Sequence, residues 1–72
     1  MDIKKRVGER ITEIRKEQDL TQEELGHLAD IDRTYINSVE NGRRNISIEN
    51  IEKISLALNI SLKEFFGSKL FT

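Results

Sequence analysis

Arg33, Thr34, Asn37 and Ser38 fall within one short stretch. With about 100° between successive residues, they share the side of a helix that Ile36 and Val39 do not occupy. A guanidinium fork, two hydroxyls and a carboxamide that both donates and accepts make a directional hydrogen-bonding surface. That is chemistry for recognising a partner whose donors and acceptors are fixed. Bond-breaking chemistry has no comparable support. No nucleophile stands with a base, no carboxylate pair suggests acid–base work, and no glycine-rich phosphate loop is present. His27 is the sole histidine and there is no cysteine. A metal site would lack its usual ligands, so His27 reads as an ordinary surface residue. No catalytic residue, metal or cofactor is expected, and the chain does not read as an enzyme.

Seventy-two residues allow one small domain, here residues 1–72, without disulfides to staple it. Hydrophobic residues make up 36% and charged residues 35%, which fits one packed layer of helices with a solvated exterior. No apolar run approaches a membrane span, and no signal-peptide stretch follows the charged N-terminus. A soluble, cytoplasmic protein with no membrane partner is expected. The formal net charge is −1, yet the charges are unevenly distributed. Residues 1–16 are net basic, residues 17–32 hold six acids and no base, and residues 33–45 carry Arg33, Arg43 and Arg44 against Glu40. Any anion-binding surface must therefore be local.

The elements that position these residues read as five helices, at about 3–18, 22–29, 33–40, 47–58 and 62–66. Nothing alternates with period two, so the fold class is all-α. Thr21 with Glu24, and Ser61 with Glu64, have the spacing of capping boxes. Asp32 and Ser47 suit N-caps, while Asn41-Gly42 and Asn59 suit helix ends. Ile3, Val7, Ile11 and Ile14 form the inner face of the first helix; Leu25, Leu28 and Ala29 that of the second. Leu20, Ile31, Ile36, Val39, Ile51, Ile54, Ala57 and Leu58 complete the expected core. The second and third helices are joined by a turn so short that they must cross steeply. Gly26 provides room there, and Asp30 tolerates the positive φ the break requires.

Three segments then coincide with a known pattern: Leu20-Thr21-Gln22-Glu23-Glu24-Leu25, Ile31-Asp32-Arg33-Thr34-Tyr35-Ile36 and Val39-Glu40-Asn41-Gly42. They resemble the Cro/CI-type (XRE family) helix-turn-helix regulators. Arg43-Arg44-Asn45-Ile46-Ser47, with Asn50-Ile51-Glu52-Lys53-Ile54 and Ala57-Leu58 after it, is similar to the controller proteins of restriction–modification systems. Asp30 departs from the glycine common in the family. The resemblance covers Val7 to Phe66. It implies a lambda-repressor-like five-helix DNA-binding domain and a sequence-specific transcriptional regulator on a palindromic operator. Double-stranded DNA and a second copy of the chain are then the partners, with RNA polymerase a further one. A phage-type or chromosomal repressor, or an antitoxin-like protein-interaction module, are the alternatives.

Under this resemblance Arg33, Thr34, Asn37 and Ser38 become base contacts. Arginine can bond guanine O6 and N7, asparagine adenine N6 and N7, and the threonine methyl can meet thymine. Gln22, at a helix N-terminus, suits a phosphate, and Arg43, Arg44 and Asn45 in the loop after the third helix suit further phosphate or minor-groove contacts. Tyr35 either meets the DNA backbone or packs on the fourth helix. The acids of residues 17–32 should mostly turn away from DNA. The family's pattern also implies that Glu40 pairs with Arg15. At the C-terminal end, Leu62, Phe65, Phe66, Leu70 and Phe71 exceed what so short a chain can cover, and are expected to form the dimer interface.

Overall fold

In the computed structural model, which describes residues 1–72, the helices begin at the side chains able to cap them. α1 spans Ile3–Glu17, α2 Gln22–Ala29, α3 Arg33–Glu40, α4 Ile48–Ala57 and α5 Leu62–Phe66, and a 3-10 turn at Lys69–Phe71 closes the chain. The Asp2, Thr21, Asp32, Ser47 and Ser61 side chains each accept from a first-turn N–H, satisfying donors that the helix leaves free. Both expected capping boxes form. Asp19, Asp30 and Asn59 adopt left-handed backbone at φ 57, 56 and 58°, so three chain reversals use short polar residues that tolerate this conformation. There is no strand, and no helix is long and apolar enough to cross a membrane.

The core gathers Val7, Ile11 and Ile14 of α1, Leu25 and Ala29 of α2, Ile36 and Val39 of α3, Ile54 and Leu58 at α4, and Phe65 of α5. Two expected members lie outside it. Ile3, in the first turn of α1, is 52% exposed. Leu28 is 58% exposed: Leu25 and Ala29, one turn apart, already define the buried stripe of α2, and Leu28 lies beside it. Leu20, Ile31, Ile51 and Ala57 are only partly buried.

Phe65 corrects the expected interface. It is fully buried and completes the core from below α4, so it is not available to a partner. Arg10 of α1 fixes α5 in that position by donating to the carbonyls of Phe65 and Glu64, both at 2.8 Å. Gln18 treats α4 likewise, donating to Leu58 O at 2.7 Å. The tail then folds back so that the Phe71 ring lies 5.1 Å from that of Phe66 and 6.3 Å from that of Phe65. Leu70 and Phe71 are thereby half-buried within the subunit, leaving Leu62 and Phe66 as the exposed apolar residues of that end.

Gly8 was invisible as a packing residue in the sequence, yet it sets the approach of α1 to α3. A Cβ there would meet the carbonyl oxygens of Val39 and, at 2.8 Å, Glu40. Gly8→Ala should therefore destabilise the protein by about 1–3 kcal/mol through overpacking, although alanine is the better helix former by about 1 kcal/mol. Urea denaturation measures the difference; unchanged stability would mean that the two helices can separate freely.

Candidate nucleic-acid interface

The surface is built on the α2–α3 turn. Asp30 ends α2 in left-handed geometry, and Ile31 N–H returns to Gly26 O at 2.8 Å. A Cβ on Gly26 would lie 2.6 Å from Ile31 O, so glycine is what lets the turn close. Asp32 then starts α3 by accepting from Thr34 N–H at 2.7 Å. Ile36 and Val39 are buried against α1 and α2, which leaves Arg33, Thr34 and Asn37 exposed. Ser38 is half-buried at the far end of this face, where its carbonyl accepts the Arg43 N–H at 3.0 Å.

Behind the exposed face lies a buried ion pair. Arg15 Nε and Nη2 reach the two carboxylate oxygens of Glu40 at 2.7 and 2.9 Å, and Nη1 donates to Leu20 O at 2.7 Å. The side chains are only 10% and 5% exposed. Burial pushes the Glu40 carboxyl upward, but donation from Arg15 and Gln22 outweighs it and holds the group below the ordinary value of 4.5. The hydrogen bond to Glu40 raises the Arg15 guanidinium, against the effect of its own burial. The pairing that the family's pattern implied is thus present, and it extends outward. Gln22 Nε2 donates to Glu40 Oε1 at 3.0 Å, and Asn37 Nδ2 donates to Gln22 Oε1 at 3.0 Å.

Gln22 has partners within the subunit. Its side chain is not free at the start of α2: both ends of the carboxamide are engaged, one by the ion pair and one by Asn37. Tyr35 also has partners within the subunit. Its hydroxyl accepts from Ser47 N–H at 3.4 Å, and the Arg44 guanidinium lies 4.6 Å from its ring centre, a cation–π contact. Tyr35 thus ties α3 to the cap of α4, while Arg43, Arg44 and Asn45 remain exposed beside it. Glu23 departs from expectation. It does not turn away but faces α3, with a carboxylate oxygen 3.5 Å from Arg33 Nη1. Thr21 at the cap of α2, with Gln22 and Glu23 in its first turn, faces Arg33, Thr34 and Asn37 of α3 across an open groove of about 670 Å³ lined by no hydrophobic residue. Neither the Gln22 bridge nor the Glu23 pair follows a spacing rule, because each partner belongs to a different helix. His27 is exposed, and no group of acidic, histidine or cysteine side chains converges as a metal site.

Two short helices crossing at a left-handed aspartate, the second presenting a polar face, define a helix-turn-helix. Residues 11–65 match the helix-turn-helix family HTH_3, and the chain belongs to that family. It is 52% identical to the control protein C.MunI of Mycoplasma sp, over 92% of this chain and 90% of that protein. Among solved structures, the restriction-modification controller C.AhdI from Aeromonas hydrophila aligns with a TM-score of 0.87 and 39% identity, covering 92% of this chain and all of the other. The controller C.Esp1396I, solved as a tetramer in complex with its natural 35 base-pair operator, aligns at 0.85 with 38% identity, over 89% of this chain and 84% of that one.

Glu40 generates a stability prediction. Glu40→Ala leaves Arg15 buried without its partner and should cost about 3–5 kcal/mol. Because the folded-state pKa of Glu40 is lowered, its contribution is full above pH 4.5 and is lost as pH falls from there through the folded-state value. Melting temperature followed against pH should therefore drop less steeply on the acid side for Glu40→Gln than for the parent. Parallel acid limbs would show that the pair contributes nothing to acid sensitivity.

Proposed function

We propose that this chain is a sequence-specific DNA-binding transcriptional regulator, a restriction–modification controller that binds a palindromic operator as a dimer. The observation that carries the reading is the exposed face of α3, where Arg33, Thr34 and Asn37 stand clear of the globule on a helix braced from behind by a buried ion pair. In this reading α3 enters the major groove. Arg33, Thr34, Asn37 and Ser38 meet base edges, and Arg43, Arg44, Asn45 and Tyr35 meet the backbone. Gln22, at the start of α2, meets a phosphate and holds Asn37. The operator complex of C.Esp1396I and the 52% identity to C.MunI favour a controller over other regulators of the fold. The protein acts by binding, in the cytoplasm, without a catalytic step.

Two subunits related by a twofold axis would place their α3 helices about one DNA turn apart, roughly 34 Å, which matches the symmetry of a palindrome. Leu62 and Phe66, exposed at the C-terminal end, are the apolar residues left there for the contact, with the Phe71 ring packed against that of Phe66. Where the operator lies beside a promoter, the bound dimer would be placed to recruit or to block RNA polymerase.

Selection of bound duplexes from a random pool tests specificity, symmetry and half-site spacing together; recovery of no preferred sequence would overturn the reading. On the selected duplex, Arg33→Ala should weaken binding by about 1–3 kcal/mol and relax base choice at one position in each half-site. Arg43→Ala should instead weaken all sequences alike and reduce the salt slope by about one per subunit. Equal loss on selected and random DNA for Arg33→Ala would remove that residue from base recognition. Phe66→Asp should give monomers in analytical ultracentrifugation while the helical circular dichroism persists. A dimer that survives it would move the interface elsewhere.

A further inference from the structure

The Glu23–Arg33 pair is oddly placed for a DNA-binding surface. A carboxylate near phosphates is repelled, and Glu23 stands in the first turn of α2, beside the groove that the DNA-binding reading assigns to the duplex. Its helical neighbour shows that an acid there need not face α3. Glu24 turns back to its own N-cap and accepts the Thr21 N–H at 2.9 Å, completing the capping box. Glu23 has no such duty. Its carboxylate instead reaches a guanidinium on the other helix at 3.5 Å, both side chains being largely exposed.

We propose that Glu23 withholds Arg33 from phosphates and so lowers the affinity of the protein for non-specific DNA. In the free protein, and on DNA of the wrong sequence, it retains the guanidinium on the α2 side of the groove. A single phosphate offers Arg33 no more than the carboxylate already does, so on a duplex that offers only phosphates Arg33 stays and adds nothing to non-specific affinity. A correctly placed guanine offers two acceptors, O6 and N7, in the geometry of the guanidinium fork. Arg33 leaves Glu23 for that partner. The exchange confines the contribution of the arginine to the sequence that satisfies it, because an exposed ion pair is weak enough to be broken by a bidentate contact yet competitive with a lone phosphate. This rests on the DNA-binding reading above.

The test compares Glu23→Gln with Glu24→Gln, each measured on the selected duplex and on a random duplex between 50 and 200 mM salt. Glutamine can still serve in a capping box, so the second variant removes an acidic charge from the same helical turn without freeing Arg33. Glu23→Gln should strengthen random-duplex binding and steepen its logarithmic salt slope by about 0.9 per subunit, one newly neutralised phosphate for each arginine released. For a dimer, its advantage over the parent on random DNA should then be about tenfold larger at 50 than at 200 mM salt. Binding to the selected duplex should gain no more than about fivefold per subunit, the strength of the pair itself, with its slope unchanged. Discrimination between the two duplexes should therefore not fall for Glu23→Gln, because the selected duplex gains the strength of the pair and a random duplex only the weaker phosphate contact; what sets it apart from Glu24→Gln is a steeper salt slope confined to random DNA. If the two variants behave alike, or Glu23→Gln shifts both duplexes by one common factor, Glu23 is only background charge and the inference is overturned while the DNA-binding reading stands. If the parent shows no salt-dependent binding to either duplex, both fall.

Discussion

The guanidinium of Arg15 is where three separate segments of the chain are made to agree. It grips both carboxylate oxygens of Glu40 at the end of α3 and the carbonyl of Leu20 in the turn before α2. Neither charge can be left alone in so dry a place, because an unpartnered buried ion is far more costly than the pair is favourable. The orientation of α3 relative to α1 is therefore not adjustable by small degrees. Either both oxygens are met or the helix is out of place. Gly8 permits the close approach that the pair needs, on the same face of α1 and against the same end of α3. The direction in which Arg33, Thr34 and Asn37 point is a consequence of that docking, and on their own side of the helix only the Gln22–Asn37 bond and the exposed Glu23–Arg33 pair add to it.

α1 extends the same device along its length. Arg10 caps the carbonyls at the end of α5, Arg15 holds α3 and the first turn, and Gln18 caps the end of α4. Each bond satisfies a helix-terminal or turn carbonyl that would otherwise need water. Long polar side chains thus do for this small domain part of what a larger core does elsewhere. They also explain how a five-residue helix such as α5 can hold Phe65 in the interior. A helix of that length has almost no stability of its own, and its position is imposed by α1 and by its capping box.

The elements were legible in the sequence because their signals are local. Thr21 and Glu24, Ser61 and Glu64, and the caps at Asp32 and Ser47 all act within one turn, and the chain obeys them to within a residue. The exposed face of α3 was legible for the same reason, from the spacing of Ile36 and Val39. Features that join different helices were not. Leu28 has the spacing of a core residue, but whether another helix covers that strip of α2 is decided elsewhere in the chain. Phe65 looked surplus because the depth of the space beneath α4 cannot be counted from composition. The Arg15–Glu40 pair came from the family's pattern, not from any periodicity. Its continuation through Gln22 to Asn37, and the turn of Glu23 toward Arg33, had no signal in the chain at all.

Those cross-helix contacts change what binding means for this surface. In the free protein Asn37 is held by Gln22, Arg33 faces Glu23 and Arg44 lies over Tyr35, so three of the groups assigned to DNA already have partners. Association is then an exchange, and its net free energy is the small difference between partners given up and partners gained. The three exchanges are unequal. The Gln22–Asn37 bond leaves the asparagine oxygen free, so Asn37 can present it while remaining braced, and an amide already oriented loses less freedom on binding an adenine edge. The Arg44–Tyr35 contact takes up no guanidinium N–H in a hydrogen bond, so Arg44 can donate to a phosphate while remaining near the ring. Only Arg33 must abandon an opposite charge. A chain of net charge −1 cannot rely on general attraction to hold it on DNA. Which partner each group takes then follows from which local contacts are worth breaking, and this surface places the one costly break at the residue best suited to reading a guanine.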